Sequence, residues 1–492
     1  MRNLALLLLL ATPLHAQLWG KLEPGPYASG FTQLDRYDIS RPYRTARTID
    51  GKPREGERAR PIRISIWYPA QASNAKTLTM GDYLDMLASE ARFREVTADE
   101  KRAAENAFFG NPLLNTLTPE HRAKMRTLTT RAVRDAKPVD GKFPVVLYSL
   151  GATAIANITP EYLASHGYVV ALTPRLGAFA GLPQDNRDAL DLETKLRDMD
   201  FMLNAIRDWK QADTTNMAAL GFSAGGRWAL AAAMKSPDVR AVVSLDSVML
   251  FNDRVTEAWK TMPHYNLDSV RVPVLHMVRS AFAAQEDMKM WEAMRYADRT
   301  YVLFEDPALD HWDFQSLGYA TALAGARGAS ASKVDALFHR FNRTTLAFLD
   351  AHLKGGAAFQ AEGAKHIAAQ PAPLSNREFM NALVEDDVDT AIAANKRAPI
   401  DEAAMNVAGY TLLFSGRTQD ALKVLAANAE AYPNSSNVYD SLADAYLATG
   451  DRAKALELTK KAAEVLEKEQ GLTPERRAAI KGSVEQKLKE LK

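Results

Sequence analysis

Six short apolar runs recur between residues 143 and 306: "FPVVLYSLGA" (143–152), "GYVVALTP" (167–174), "NMAALGFS" (216–223), "VRAVVSLDS" (239–247), "VPVLHMVRS" (272–280) and "TYVLFED" (300–306). None keeps the strict alternation of a strand with one wet face, and each is short for a helix. Helical stretches separate most of them. "ITPEYLASHG" fits a helix closed by Gly167. Residues 187–210 carry Leu190, Leu192, Leu196, Met199, Met202, Leu203, Ile206 and Trp209 at helical spacing. Buried strands alternating with helices predict a mostly parallel α/β sheet covered on both faces. Upstream, "PIRISIWYPA" (61–70) sets Ile62, Ile64, Ile66 and Tyr68 on one face, the pattern of a half-buried strand. The stretch 80–135 is polar and helix-prone, breaks the alternation, and reads as an inserted helical cap.

At 492 residues the chain is long enough for two or three domains. The strand–helix region extends to about 370. "PAPL" (371–374) reads as a linker, and 375–492, rich in Ala, Leu, Glu and Lys, as all helix. Gly416 and Gly450 are 34 positions apart, as are Gly409 and Ala443, and Ala421–Leu422 recurs at the same interval as Ala455–Leu456. A 34-residue helix–turn–helix period resembles the tetratricopeptide repeat, with Tyr439, Leu442, Ala443, Tyr446, Gly450, Ala455 and Ala462 on the pattern. Two units cover 402 to about 468, so flanking helices are needed to cap them.

The first residues, "MRNLALLLLLATPLHAQ", combine Arg2, a short apolar run, Pro13 and the small residue Ala16. That is the layout of a secretory signal peptide over 1–16, too short to span a bilayer, and it predicts a periplasmic or secreted protein without a transmembrane span. No cysteine occurs, which excludes disulfides, thiolate metal sites and a cysteine nucleophile. A formal net charge of +1 points to no nucleic-acid partner. No histidine pair has metal-ligand spacing, and "GAFAGL" (177–182) lacks the third glycine of a dinucleotide loop. No metal or cofactor is therefore expected.

The chemistry centres on "LGFSAGG" (220–226). Strand, G-x-S-x-G, helix is the context of a nucleophile elbow, in which a tight turn lifts the serine above the sheet. Ser223 is the candidate nucleophile; the bland alternative is an ordinary glycine turn. A serine needs a base and an orienting acid, in chain order Ser, Asp or Glu, His. His276 lies inside an apolar strand, and His339 and His352 lie on a helical stretch. His311, in the loop "EDPALDHWDF" after the last apparent strand, is the candidate base. Two acids remain open on position alone: Asp246 at the end of "AVVSLD", and Glu286 or Asp287 in the loop after the next strand.

The pieces "GPYASGF" (25–31), "RPIRISIWYPA" (60–70), "FPVVLYSLGA", "LASHGYVVALTPR" (163–175), "GFSAGG" (221–226), "SLDS" (244–247) and "DHWDF" (310–314) resemble the platelet-activating factor acetylhydrolase branch of the α/β-hydrolases, which borders dienelactone-hydrolase-like proteins. The resemblance covers nearly all of residues 25–354. It implies an α/β-hydrolase sheet over 17–370 with the 80–135 insert, and a triad of Ser223, Asp246 and His311. The oxyanion hole it implies uses the backbone N–H groups of Ala224 and Ala152. Where the family has His-Gly before the second donor, this chain has Leu150-Gly151, a departure that bears on loop orientation and substrate choice. The expected activity is hydrolysis of a small-molecule or lipid carboxylic ester through an acyl-enzyme. The rivals are a peptidase or amidase with the same triad, and a binding protein that acts through its repeats beside a degenerate hydrolase unit. In the first reading the repeats are expected to hold a protein partner or a second copy.

Overall fold

The computed structural model describes residues 17–110, 114, 116–149, 152–180, 189–385 and 387–491. The expected leader over 1–16 lies outside these residues. The chain divides into two compact units, the first ending at Gln370 and the second starting at Pro371.

The first unit is built on a sheet of β1 (Ala28–Pro42), β2 (Ala59–Ala70), β3 (Thr77–Thr79), β4 (Thr129–Arg134), β5 (Phe143–Ser149), β6 (Val169–Leu172), β7 (Ala212–Phe222), β8 (Val239–Leu245), β9 (Val274–Arg279), β10 (Arg299–Phe304) and β11 (Lys365–Ile367). Across the sheet the order is β11-β10-β9-β8-β7-β5-β6-β2-β1-β4-β3. From β6 to β10 the neighbours are parallel. β2 runs antiparallel to both β1 and β6.

The apolar runs of the sequence are these central strands, and each feeds two cores. Val145 and Leu147 of β5 join one core, with Met217 and Ala219 of β7 and the helices Ala189–Arg207 and Gly225–Lys235. Val146 and Tyr148 join the other, with Leu220, Leu245 and Met277 and the helices Ile158–Ser165 and Ala331–Leu353. Burial on both faces explains why these strands show no polar alternation. Gly167 follows the helix Ile158–Ser165 with φ +86°, a left-handed position that ends a helix at little cost.

β2 departs from the half-buried expectation, because both of its faces are covered. Ile62, Ile64, Ile66 and Tyr68 enter one core, while Trp67 enters the other. There the Trp67 indole N–H donates to the Tyr83 hydroxyl at 3.0 Å, and its ring lies 5.0 Å from Phe31. The polar residues of that face are paired: the buried Arg63 guanidinium meets the carboxylate of the exposed Asp35, and Ser65 meets Thr153 within the core.

The 80–135 insert is helical as far as residue 127, with helices Met80–Met86, Ala98–Phe109 and Pro119–Thr127. Thr79, Thr97 and Thr118 each cap one of them, accepting from the backbone N–H three residues on. The end of the insert is not helical. Residues 129–134 form β4, which pairs with β1 and β3, since Thr129, Thr130 and Val133 are β-branched and suit a pleated surface.

The second unit consists, among the described residues, of helices Asn376–Glu385, Val388–Arg397, Glu402–Phe414, Thr418–Ala431, Ser436–Ala448, Arg452–Lys468 and Pro474–Leu491. Two helical pairs repeat at the interval read from the sequence: Tyr410 donates to Asp444, its counterpart 34 residues on, at 2.6 Å. Gly416 and Gly450 end the first helix of each pair with φ +80° and +84°. A side chain at Gly409 would stand 2.5 Å from Leu425, so that crossing requires glycine.

Because the cores of the two units are separate, a chain truncated after Gln370 is expected to melt cooperatively on its own. Residues 371–492 alone are expected to give a helical far-ultraviolet dichroism spectrum. A truncated first unit without a thermal transition would show that the two parts fold as one.

Candidate functional site

The strand order reverses direction at β5. The chain moves from β5 to β6 on one side, and later places β7 on the other. In open α/β sheets the crevice at such a switch point, outside the carboxyl ends of the strands, is where ligands bind. Register puts Ser149, Gly221 and Ser244 side by side across β5, β7 and β8, and Leu245 beside Met277 of β9. The segments carrying Ala152, Ser223–Ala224, Asp246 and Arg279 therefore leave the sheet at one edge.

Ser223 sits between β7 and the helix Gly225–Lys235 with φ +56°. A non-glycine residue there is uncommon and strained. Three backbone bonds hold it: the Ser223 N–H donates to Leu245 C=O, and the Ser223 C=O accepts from the N–H groups of Gly226 and Val248. The turn closes because residue 221 has no side chain. A Cβ there would lie 2.1 Å from the Gly225 carbonyl oxygen, and one at Gly226 would lie 2.1 Å from Ser247 Oγ. Ala224 forms the N-cap of the following helix, whose first N–H groups carry about half a positive charge. The sheet, its switch point and this strand–turn–helix are the architecture of the α/β-hydrolases.

Asp246 follows β8 with φ +36° and is fully buried. Its backbone N–H donates to Met277 C=O. Its carboxylate is satisfied on both oxygens. Oδ1 accepts from the Arg279 backbone N–H at 3.0 Å, and Oδ2 from Arg279 Nε at 2.8 Å and His311 Nδ1 at 2.7 Å. A carboxylate at Nδ1 fixes the tautomer that leaves Nε2 as the acceptor. The imidazole is held from both sides, stacked on Phe222 (4.3 Å, 22°) and on Phe282 (4.8 Å, 29°). The Arg279 guanidinium in turn lies over Phe282.

His311 opens a single 3-10 turn, His311–Phe314, after β10. Asp310 caps this turn by accepting from Trp312 N–H, and Asp313 accepts from Asp310 N–H. Asp313 also pairs with Arg327 at 2.5 Å. Burial, with Oδ1 left unpartnered, outweighs these bonds and pushes the Asp313 carboxyl up to about 6.

The other residues weighed from the sequence are occupied elsewhere. Glu286 Oε1 meets His276 Nε2 at 2.6 Å, and its Oε2 accepts from the Tyr301 hydroxyl at 2.7 Å, all within the core. His276 Nδ1 meets Ser244 Oγ at 2.8 Å. Asp287 caps the helix Met288–Ala293. His339 Nε2 accepts from the Lys21 N–H, and His352 packs against Phe348. Ala152, half-buried in the loop after β5, accepts from Ile155 N–H through its carbonyl; Leu150 and Gly151 lie outside the described residues. Among the described residues no cluster of His, Asp and Glu is arranged to hold a metal ion, and no helix is long and apolar enough to cross a membrane.

Sequence reasoning missed three contributors. Arg279 had one signal, a cation ending an otherwise apolar strand at the ligand edge. Phe282 had none. Glu90, in the insert, turns its carboxylate toward the backbone N–H of Thr153, next to Ala152; burial pushes that carboxyl up to about 8.

No family model matches the sequence, and no curated protein matches it. Among solved structures, a ferulic acid esterase from Streptomyces cinnamoneus is similar, with a TM-score of 0.48 and 18% identity, over 70% of this chain and 98% of that one.

The raised Asp313 carboxyl predicts a pH dependence. Its folded value of about 6 exceeds the ordinary 3.8, so between these pH values the folded protein holds a proton that the unfolded chain has released. The stability this group contributes is complete below pH 3.8 and is lost as the pH rises through 6. Asp313→Asn is expected to flatten the fall of melting temperature across this window; an unchanged slope would refute the assignment.

Proposed function

We propose that the first unit is a serine hydrolase of carboxylic esters. The observation that carries this reading is the 2.7 Å contact of a fully buried carboxylate, Asp246, with Nδ1 of His311, one strand from a serine on a strained, glycine-flanked turn. In this mechanism Ser223 Oγ attacks the ester carbonyl and His311 Nε2 takes its proton. Asp246 keeps the imidazole in the productive tautomer and stabilises the imidazolium. The N–H groups of Ala224 and Ala152 receive the oxyanion. His311 then returns the proton to the leaving alcohol, and a water activated by the same imidazole hydrolyses the acyl-enzyme.

The finer reading places the unit in the platelet-activating factor acetylhydrolase and dienelactone-hydrolase-like branch, with small-molecule or lipid esters as substrates. It includes export to the periplasm or medium through the 1–16 leader. It treats the second unit as tetratricopeptide-like repeats that hold a protein partner or a second copy. The 34-residue recurrence of the helical pairs supports that last point.

Ser223→Ala is expected to lower kcat/KM on an activated ester by about a thousandfold or more and to abolish labelling by a fluorophosphonate, with little change in melting temperature. Activity within about tenfold of the parent would refute the nucleophile.

The acid is tested separately. Asp246→Asn is expected to cost at least about a hundredfold in kcat/KM. Asp287→Asn should leave catalysis intact, and Glu286→Gln should lower the melting temperature more than the turnover of the folded protein. Loss of turnover in Glu286→Gln but not in Asp246→Asn would move the acid to the other strand end. Matched ester and amide substrates separate an esterase from an amidase.

A further inference from the structure

The connection between β1 and β2, the insert near Ala91 and the chain leaving β6 enclose a cleft of about 1160 Å³. Five arginines line it, Arg44, Arg54, Arg58, Arg92 and Arg175, together with Phe179. No Asp or Glu is among its described lining residues. Arg92 pairs with Glu100, and Arg54 Nε donates to Thr45. The exposed guanidinium groups of Arg44 and Arg58 make no hydrogen bond or ion pair among the described residues. Glu57, next in sequence to Arg58, accepts its hydrogen bonds from the backbone N–H groups of Arg58 and Ala59 and meets the Arg58 charge only through space.

So many cations in one concave surface repel one another. What they do is focus a positive potential in the cleft and raise the local concentration of anions. The guanidinium fork matches carboxylate and phosphate oxygens in pairs. Phe179, 57% exposed, adds an apolar face at the rim.

The cleft lies at the ligand edge of the sheet. β2 opposes β6 with Ser65 across from Leu172, and β1 opposes β2 with Asp38 across from Arg60. The β1–β2 connection therefore projects from the edge where β5 to β8 end. Arg175 follows the end of β6 by three residues, and β6 is two strand spacings from β7, about 10 Å. The insert makes a second link: Glu90 faces Thr153 N–H beside Ala152, and the next two residues, Ala91 and Arg92, line the cleft.

We propose that this cleft is a subsite for a carboxylate or phosphate carried by the substrate, so that the site at Ser223 acts preferentially on esters with an anionic group roughly 10–20 Å from the scissile bond. The proposal rests on the serine-hydrolase reading.

The test compares three series of p-nitrophenyl esters of equal chain length, ending in carboxylate, phosphate or neutral hydroxyl. The full-length protein and the Arg44→Gln/Arg58→Gln variant are assayed at low and high salt, with melting temperatures showing that both are folded. The ratio of kcat/KM for anionic over neutral esters is expected to reach about tenfold or more in the parent, and to fall toward one in the variant and at high salt. The anion giving the larger ratio identifies the group. A parent ratio near one, or a ratio that the variant leaves intact, overturns the subsite while leaving the hydrolase reading standing. If no ester is turned over, the hydrolase reading fails, and the cleft is judged by calorimetric titration with a long-chain dicarboxylate and an alkyl phosphate. Binding that weakens by about tenfold in the variant supports the anion site, and absent or unchanged binding overturns it.

Discussion

The contact between residue 221 and the Gly225 carbonyl decides the geometry of the sheet edge that carries Ser223. A side chain at 221 would lie 2.1 Å from that oxygen and 2.6 Å from the Gly226 nitrogen, backbone atoms that cannot swing aside as a side chain could. With hydrogen there, the chain reverses between β7 and the helix Gly225–Lys235 in two residues, and Ser223 is carried to φ +56°. Strain of about 1–3 kcal/mol at such a residue persists only where its surroundings over-determine it. Here the Ser223 peptide is bonded to Leu245, Gly226 and Val248, so β8 and the helix hold the turn together. Asp246 stands one residue beyond Leu245, which places a serine and a carboxylate on adjacent strand ends.

A second theme is the burial of carboxyl groups in place of apolar packing. Glu161, within the core, accepts from Trp19 Nε1, the Tyr83 hydroxyl and the Arg131 N–H, so one side chain ties the N-terminal segment, the insert and β4 to the helix Ile158–Ser165. Burial still raises its affinity for a proton above the usual carboxyl range. Glu286 does similar work on the other side, joining His276 of β9 to Tyr301 of β10. Such groups pack less favourably than hydrocarbon, but each accepts bonds only in one arrangement and so specifies the register of its neighbours.

The central sheet was legible because double burial leaves its mark on every strand, as in β5 and β7, and the glycine spacing around Ser223 marked the turn. Three things were harder to read. β4 went unrecognised because Thr129, Thr130, Arg131 and Arg134 make it a mostly polar strand, and β11 because it is only three residues long and all three are exposed. Position alone left Asp246 and Glu286 open, since both follow a strand at the same edge. Their difference lies in which partner faces each carboxylate, His311 or His276, and that is a property of the folded loops. The arginine cleft draws on residues from 44 to 175, and no local pattern gathers them.

Oδ2 of Asp246 accepts from two donors, the Arg279 guanidinium through Nε and the His311 ring through Nδ1. A carboxylate facing an imidazole alone would form a neutral ensemble each time the ring took up a proton. With the guanidinium present the charges of the three groups sum to zero when the ring is neutral, and to one positive unit when the ring is protonated. In the proposed hydrolysis, the edge of the sheet would therefore become cationic as the substrate oxygen there gained negative charge. The dipole of the helix beginning at Gly225 points the same way, so the local field and the charge it meets grow together.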